Sequence, residues 1–171
     1  LTYEKIDTLL VAGFSFSLHW ESLWPFIQWL KANARKIRRI GSVCLGAFIL
    51  AEAGILNGKR VTTHWLHAGK LQSLYPELQI DSDPIFIRDG KVYTSAGVSS
   101  GMDLALALVE EDLGKDIALE VARHLVLFLR RPGNQSQFSN VLSYQIAEKE
   151  PIRQLQSWLP DHLKSIHIYN W

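Results

Sequence analysis

Residues 40–46, Ile-Gly-Ser-Val-Cys-Leu-Gly, decide how this chain folds, because they hold its only cysteine, Cys44, between two patterns of different period. Before it, Ile37, Ile40 and Val43 make an apolar, β-branched approach, which predicts a buried strand. After it, Ala47, Phe48, Ile49, Leu50 and Ala53 follow a helical period. A nucleophile-type residue therefore stands at the apex of a strand, a sharp turn and a helix. Ser42 and Gly46, two before and two after it, are small. This is the spacing of a nucleophile elbow, whose tight turn leaves no room for bulk at those positions. A thiol there would lie at a helix N-terminus, which predicts a lowered pKa. The competing reading is a buried, inert cysteine, the commoner fate of a lone one.

Outward from the elbow, strands and helices alternate. Residues 6–12 read as an apolar strand ending at Gly13, and 21–34 as an amphipathic helix carrying Trp24 and Trp29. Residues 37–43 are the elbow strand and 45–53 its helix, stopped by Gly54 and the Asn57-Gly58 turn. Residues 60–63 read as a short strand and 64–74 as a helix closed before Pro76. Residues 85–87 and 91–95 flank Arg88-Asp89-Gly90, a hairpin signature. A helix over 97–113 meets Gly114 as its stop, and a second runs from 115 to 129. Such alternation implies an α/β fold with a mainly parallel sheet covered on both faces. Sites in such folds lie at the carboxyl ends of strands, where Gly13, Cys44, His64 and residues 95–97 fall.

Beyond Pro132 the character changes. Residues 133–140 (GNQSQFSN) are polar, and 148–151 (EKEP) read as a linker. Residues 151–163 then form a fresh amphipathic pattern with Ile152, Leu155, Trp158 and Leu159. The expected organisation is one domain over 1–147, then, over 148–171, a linker and the opening helix of a further domain.

The bulk properties narrow the function classes. A chain of 171 residues suits one domain with a real core. A net charge of +1 leaves no overall electrostatic footprint for nucleic acid. A single cysteine excludes an intramolecular disulfide and suits the reducing cytoplasm. No apolar run reaches transmembrane length, and the opening LTYEKID is no signal peptide, so no membrane association is expected. The chain opens without Met, almost directly on a strand, and reads as a cut through a longer protein.

A cysteine nucleophile needs a base or cation to hold its thiolate. His64 closes the segment RVTTH, where the next parallel strand would deliver a side chain beside Cys44. The alternative is a histidine that caps the following helix. His67 reads as a surface residue and His124 as a core or edge residue; His19, His162 and His167 have no motif around them. Asp103 is a candidate to orient the imidazole, although an acid favourable to the helix dipole is the preferred reading. Glu110, Glu111 and Asp112 read as a solvated face. The basic run Lys31, Arg35, Lys36, Arg38, Arg39 reads as a solvated helix end. No metal-ligand spacing is present, and the glycines of SAGVSSGMD lack the Lys-Ser/Thr of a phosphate loop, so neither metal nor cofactor is expected.

Three long stretches, VCLGAFILAEAGILNGKRVTTHW, YTSAGVSSGMDLALALVEEDLG and FLRRPGNQSQFS, together resemble the amidase-like domain of GlxA-type regulators of the AraC family. That domain is PfpI/ThiJ-like, that is, class I glutamine amidotransferase-like. The resemblance implies a flavodoxin-like three-layer α/β/α sandwich. It places Cys44 at the superfamily's elbow cysteine and His64 at the histidine many members set near it. It implies that the N-terminal half senses a small-molecule effector and dimerises, while paired helix-turn-helix motifs in a C-terminal half contact DNA. Three departures accompany it. The family's first strand and following segment, which carry an acidic partner in catalytic relatives, have no counterpart here. Leu45 stands where Thr or His is frequent, and VAGF stands where VPGG is common. The resulting expectation is a catalytically silent sensing domain, forming a homodimer, with ligand beside Gly13, Cys44, Leu45, His64, Ala96 and Gly97. The rival is a stand-alone cysteine amidase, peptidase or isonitrile hydratase; a redox sensor acting through Cys44 is a third reading.

Overall fold

The computed structural model describes residues 6–14, 20–131, 134–136, 154, 155 and 158. The chain divides into two compact units, Leu1–Gln135 and Ser136–Trp171. The linker expected over 148–151 lies outside the described residues. So does the helix expected over 151–163, apart from Gln154, Leu155 and Trp158.

In the first unit the main sheet has four strands: β1 (Thr8–Val11), β2 (Arg39–Val43), β5 (Phe86–Asp89) and β6 (Val92–Ser95), in the order β1-β2-β6-β5. β2 is parallel to both β1 and β6, and β5 closes the sheet antiparallel through the anticipated hairpin. Between them in sequence come α1 (Trp24–Asn33), α2 (Gly46–Glu52), β3 (Arg60–Val61), α3 (Trp65–Leu74) and β4 (Gln79–Ile80). α4 (Val98–Leu113) and α5 (Lys115–His124) follow the hairpin.

Strand alternation sorts the core into two layers. Ile40 and its register partner Val92 join Ile27 and Leu30 of α1, Phe48 and Leu50 of α2 and Leu71 of α3 in one buried cluster. Tyr93, one residue on, turns to the other face and packs with Leu104 and Leu108 of α4. The result is the flavodoxin-like α/β/α arrangement. Two features depart from the expected single sheet. β4 was not apparent from its sequence, and β3 pairs with it in a separate two-stranded parallel sheet rather than beside β2.

The second long helix also ends earlier than expected, at His124 rather than residue 129. Val126 takes a left-handed φ of 55°. Its N–H donates to Arg123 O (3.1 Å), and Leu127 N–H donates to Ala122 O (2.9 Å). These two bonds form a Schellman closure. Glycine normally marks that position, so a valine there gave no stop signal. His124 is exposed beside Glu120 rather than in the core.

The acidic end of α4 is exposed, as expected, and its carboxylates are also engaged by arginines. Arg39 is 6% exposed, with its guanidinium set against Asp112 and Glu111. Arg38 reaches Asp7 (2.8 Å) and Asp112 (3.2 Å). Glu111 also accepts from Arg88 and from the Tyr93 hydroxyl, both at 2.8 Å. This network joins α4 to the N-terminal ends of β1 and β2 and to the β5–β6 hairpin.

Two outcomes follow. A Cβ on Gly46 would fall 2.1 Å from Val11 O, a backbone atom that cannot retreat, whereas one on Gly69 in α3 would meet nothing within 4 Å. Urea denaturation of Gly46→Ala should therefore show a loss of about 3 kcal/mol or an unfolded chain. Gly69→Ala should gain up to about 1 kcal/mol. The second outcome concerns acid. Hydrogen bonds from Arg38 lower the Asp7 pKa to about 2, and those from Arg39 and Arg38 lower that of Asp112. A depressed folded pKa stabilises above the unfolded value of 3.8, and that stabilisation is lost as pH falls toward 2. Circular dichroism should place the acid transition in that window, with a smaller pH dependence at high salt because the groups are exposed.

Candidate functional site

β2 delivers Cys44 to the end of the sheet, and the backbone there turns through φ 55° before α2 begins. A non-glycine residue in that region costs on the order of 1–3 kcal/mol, so its neighbours must hold it. Cys44 N–H donates to Ser95 O on β6 (3.0 Å), and Cys44 O accepts from the buried Thr63 hydroxyl (2.8 Å). Gly13, just after β1, lies against the cysteine: a Cβ on it would sit 3.1 Å from the Cys44 Cβ. The strained elbow inferred from Ser42, Cys44 and Gly46 is present.

The charge on the thiol is the reverse of that expected. Burial raises the Cys44 pKa above the ordinary thiol value, and the hydrogen bond from the Leu45 backbone only partly offsets it. Desolvation is the larger of these two effects.

His64 sits immediately before α3, and its Nδ1 accepts the Leu66 N–H (3.3 Å), satisfying a free donor of the first turn. This is the capping alternative. With Nδ1 used as an acceptor, the neutral ring carries its proton on Nε2. Burial first, and the neighbouring His67 second, lower its pKa. Among the described residues Cys44 and His64 form no hydrogen bond with each other, and neither is among the groups that shift the other's pKa. Asp103 does not orient the imidazole; it pairs with Arg131.

An open cavity of about 700 Å³ lies beside Cys44, lined by Ala12, Gly13, Phe14, Val43, Cys44, Val98, Gly101, Met102 and Ala105. Of the residues expected around a ligand, Gly13 and Cys44 line it. Leu45 is buried in the core, Ala96 is buried at the end of β6, and Gly97 lies under the His64 ring, whose Cδ2 would be 3.5 Å from a Cβ there. The wall contributed by α4 was missed, although Val98, Gly101, Met102 and Ala105 share the i, i+3, i+4, i+7 spacing of one helix face. That spacing reads as core, and only the exposure of Val98 (78%) and Met102 (47%) marks it as a cavity wall. Apart from the thiol, the described residues of the lining carry no ionisable side chain, and that part of the wall suits an uncharged or largely apolar group.

An α/β/α sandwich with a left-handed cysteine at a strand–helix elbow defines a class of protein, and comparison identifies it. The chain belongs to the DJ-1/PfpI family, whose model matches residues 2–111. It is similar to the HTH-type transcriptional regulator GlxA of Rhizobium meliloti, at 38% identity over 119 residues, covering 70% of this chain and 36% of that protein. It is also similar to an isonitrile hydratase of Pseudomonas putida, at 37% identity over 92 residues, covering 54% of this chain and 39% of that enzyme. Among solved structures, an AraC family transcriptional regulator from Pseudomonas putida superposes with a TM-score of 0.58 at 25% identity, over 70% of this chain and 63% of that one. The chain thus spans less than two fifths of the length of either curated relative. No helix among the described residues is long and apolar enough to cross a membrane.

The site's electrostatics yield a pH dependence. A raised thiol pKa means that Cys44 is almost wholly protonated at neutral pH. Iodoacetamide alkylation of the native chain should be slower than that of a cysteine peptide, with its rate still rising at pH values where the peptide has reached its plateau. A plateau below neutral pH would mark a stabilised thiolate and contradict the burial argument.

Proposed function

We propose that this chain is the effector-sensing and dimer-forming domain of a GlxA-like, AraC-family transcriptional regulator acting in the cytoplasm. DNA contact would be delegated to a helix-turn-helix domain outside the chain. The observation that carries this reading is the state of the elbow. The strained cysteine and its cavity are kept, while the candidate base is spent as a helix cap and the thiol stays uncharged. Such a site binds better than it reacts. The likeness to GlxA and to the AraC-family structure supports the same reading. The uncharged thiol also argues against redox sensing, since the thiolate is the species that oxidises.

For dimerisation, β1 is an edge strand of the described sheet, with Leu10 partly exposed along it, and edge strands present unpaired backbone groups. Trp20 and Trp29 pack against the core, leaving Trp24 exposed under Lys31.

The runner-up is a cysteine hydrolase or hydratase, favoured by the likeness to isonitrile hydratase. General acid–base assistance is worth about 10²–10⁴-fold, and neither His64 in its capping geometry nor Leu45 supplies it. One set of measurements separates the two readings. Light scattering at tens of micromolar should give a dimer mass. Gel shifts at physiological salt should show sequence-specific retention by the full-length product and none by this chain. No burst should appear with an activated ester or amide; a burst abolished by Cys44→Ser would establish the enzyme instead.

A further inference from the structure

Gln135 is the last residue of the first unit, and it is 6% exposed despite standing in the polar run after Pro132. Its side chain reaches back across the fold to the segment that supports the elbow. Nε2 donates toward Thr62 Oγ1 (3.0 Å), Thr63 O (3.2 Å) and Pro84 O (2.9 Å). Oε1 accepts the N–H of Trp65 (3.0 Å), the first residue of α3. Its own backbone N–H donates to Asp83 O (2.7 Å), and the neighbouring Asn134 amide donates to the Asp83 carboxylate (2.7 Å). A single buried amide thus joins residues 62–65 to residues 83–84.

Residues 62–65 do three things at the site. Thr63 holds the Cys44 carbonyl, His64 caps α3, and Thr62 N–H bonds Thr94 Oγ1 on β6 (2.8 Å). The first two donors of α3 are satisfied by Gln135 and His64 side by side, so the glutamine sets the segment that orients the histidine. The two N–H hydrogens of the amide serve three acceptors, one hydrogen being shared, while its oxygen accepts from an amide; glutamate loses the donors.

We propose that Gln135 is a positioning residue and a latch: it braces the Cys44–His64 segment and makes the chain at residue 135 respond to what occupies the cavity beside Cys44. The coupling part rests on the sensing reading above; the bracing part does not. In the closed latch the amide is fully used, which suits a two-state element, because displacing it strands several buried polar groups together.

The test uses the chain as it is, with N-ethylmaleimide on Cys44 as a stand-in occupant, and reads amide hydrogen exchange by NMR. In the untreated chain the Trp65 amide should be protected; exchange at the rate of an open amide would overturn the latch without any variant. Gln135→Ala should keep a cooperative melt. It should speed exchange at Thr62 and Trp65 by about tenfold or more and raise the iodoacetamide rate at Cys44. A destabilised but otherwise inert site would leave the alkylation rate unchanged, and that result would reduce Gln135 to a structural residue. Should Gln135→Ala fail to fold, Gln135→Glu serves, with the same expected changes. Alkylation of Cys44 by N-ethylmaleimide should speed exchange at Trp65 and at residues 134–136. No change there would overturn the coupling. A change there without any effect of alkylation on DNA binding by the full-length product would leave the latch standing and remove the sensing role.

Discussion

Everything at this site depends on one backbone constraint, the left-handed turn at Cys44. The turn is possible because Gly46 lets α2 start directly over the Val11 carbonyl, and because Gly13 leaves the Cys44 side chain room to project. Three strand ends then converge: β1 through Val11 and Gly13, β6 through Ser95, and the segment after β3 through Thr63. The cost of the strained dihedral is met by two hydrogen bonds to the Cys44 peptide and by a close-packed floor. An elbow of this kind projects a side chain into a cavity whatever that side chain then does.

What Cys44 does is decided by its neighbours, and here they favour a neutral site. The thiol is pushed up by burial, the imidazole is pushed down by burial and by His67, and the imidazole's Nδ1 is occupied by a backbone amide. A thiolate–imidazolium pair needs both shifts reversed. Among the described residues, the cavity wall of Ala12, Phe14, Val43 and one face of α4 offers apolar contact. The proposed role, recognition without turnover, rests on these features of the site.

The elbow, the alternation of strands and helices and the hairpin at Gly90 were legible in the sequence because each is a local signal: small residues at fixed offsets, a change of period, a turn dipeptide. What escaped the sequence was decided at long range. Arg38 and Arg39 looked like a solvated basic run, yet partners from residues 7, 111 and 112 draw them into a network and bury Arg39. Val126 gave no helix stop because a valine rarely accepts a left-handed conformation, and only the closing bonds to Arg123 and Ala122 reveal that it does. His64 offered two roles in sequence, base or cap, and only the direction of its Nδ1 distinguishes them. Gln135 gave no signal at all, since a buried glutamine in a polar run cannot be told from an exposed one until its four partners are seen.

The central claim is that His64 serves as the cap of α3 and not as the base of Cys44. Nitrogen-15 NMR of the imidazole tests it most directly, because the two ring nitrogens report which of them carries the proton. At neutral pH the account predicts a neutral ring protonated at Nε2, with Nδ1 as acceptor and a titration midpoint below that of a free histidine. A ring protonated at Nδ1, or an imidazolium that persists above neutral pH and vanishes in Cys44→Ser, would contradict it.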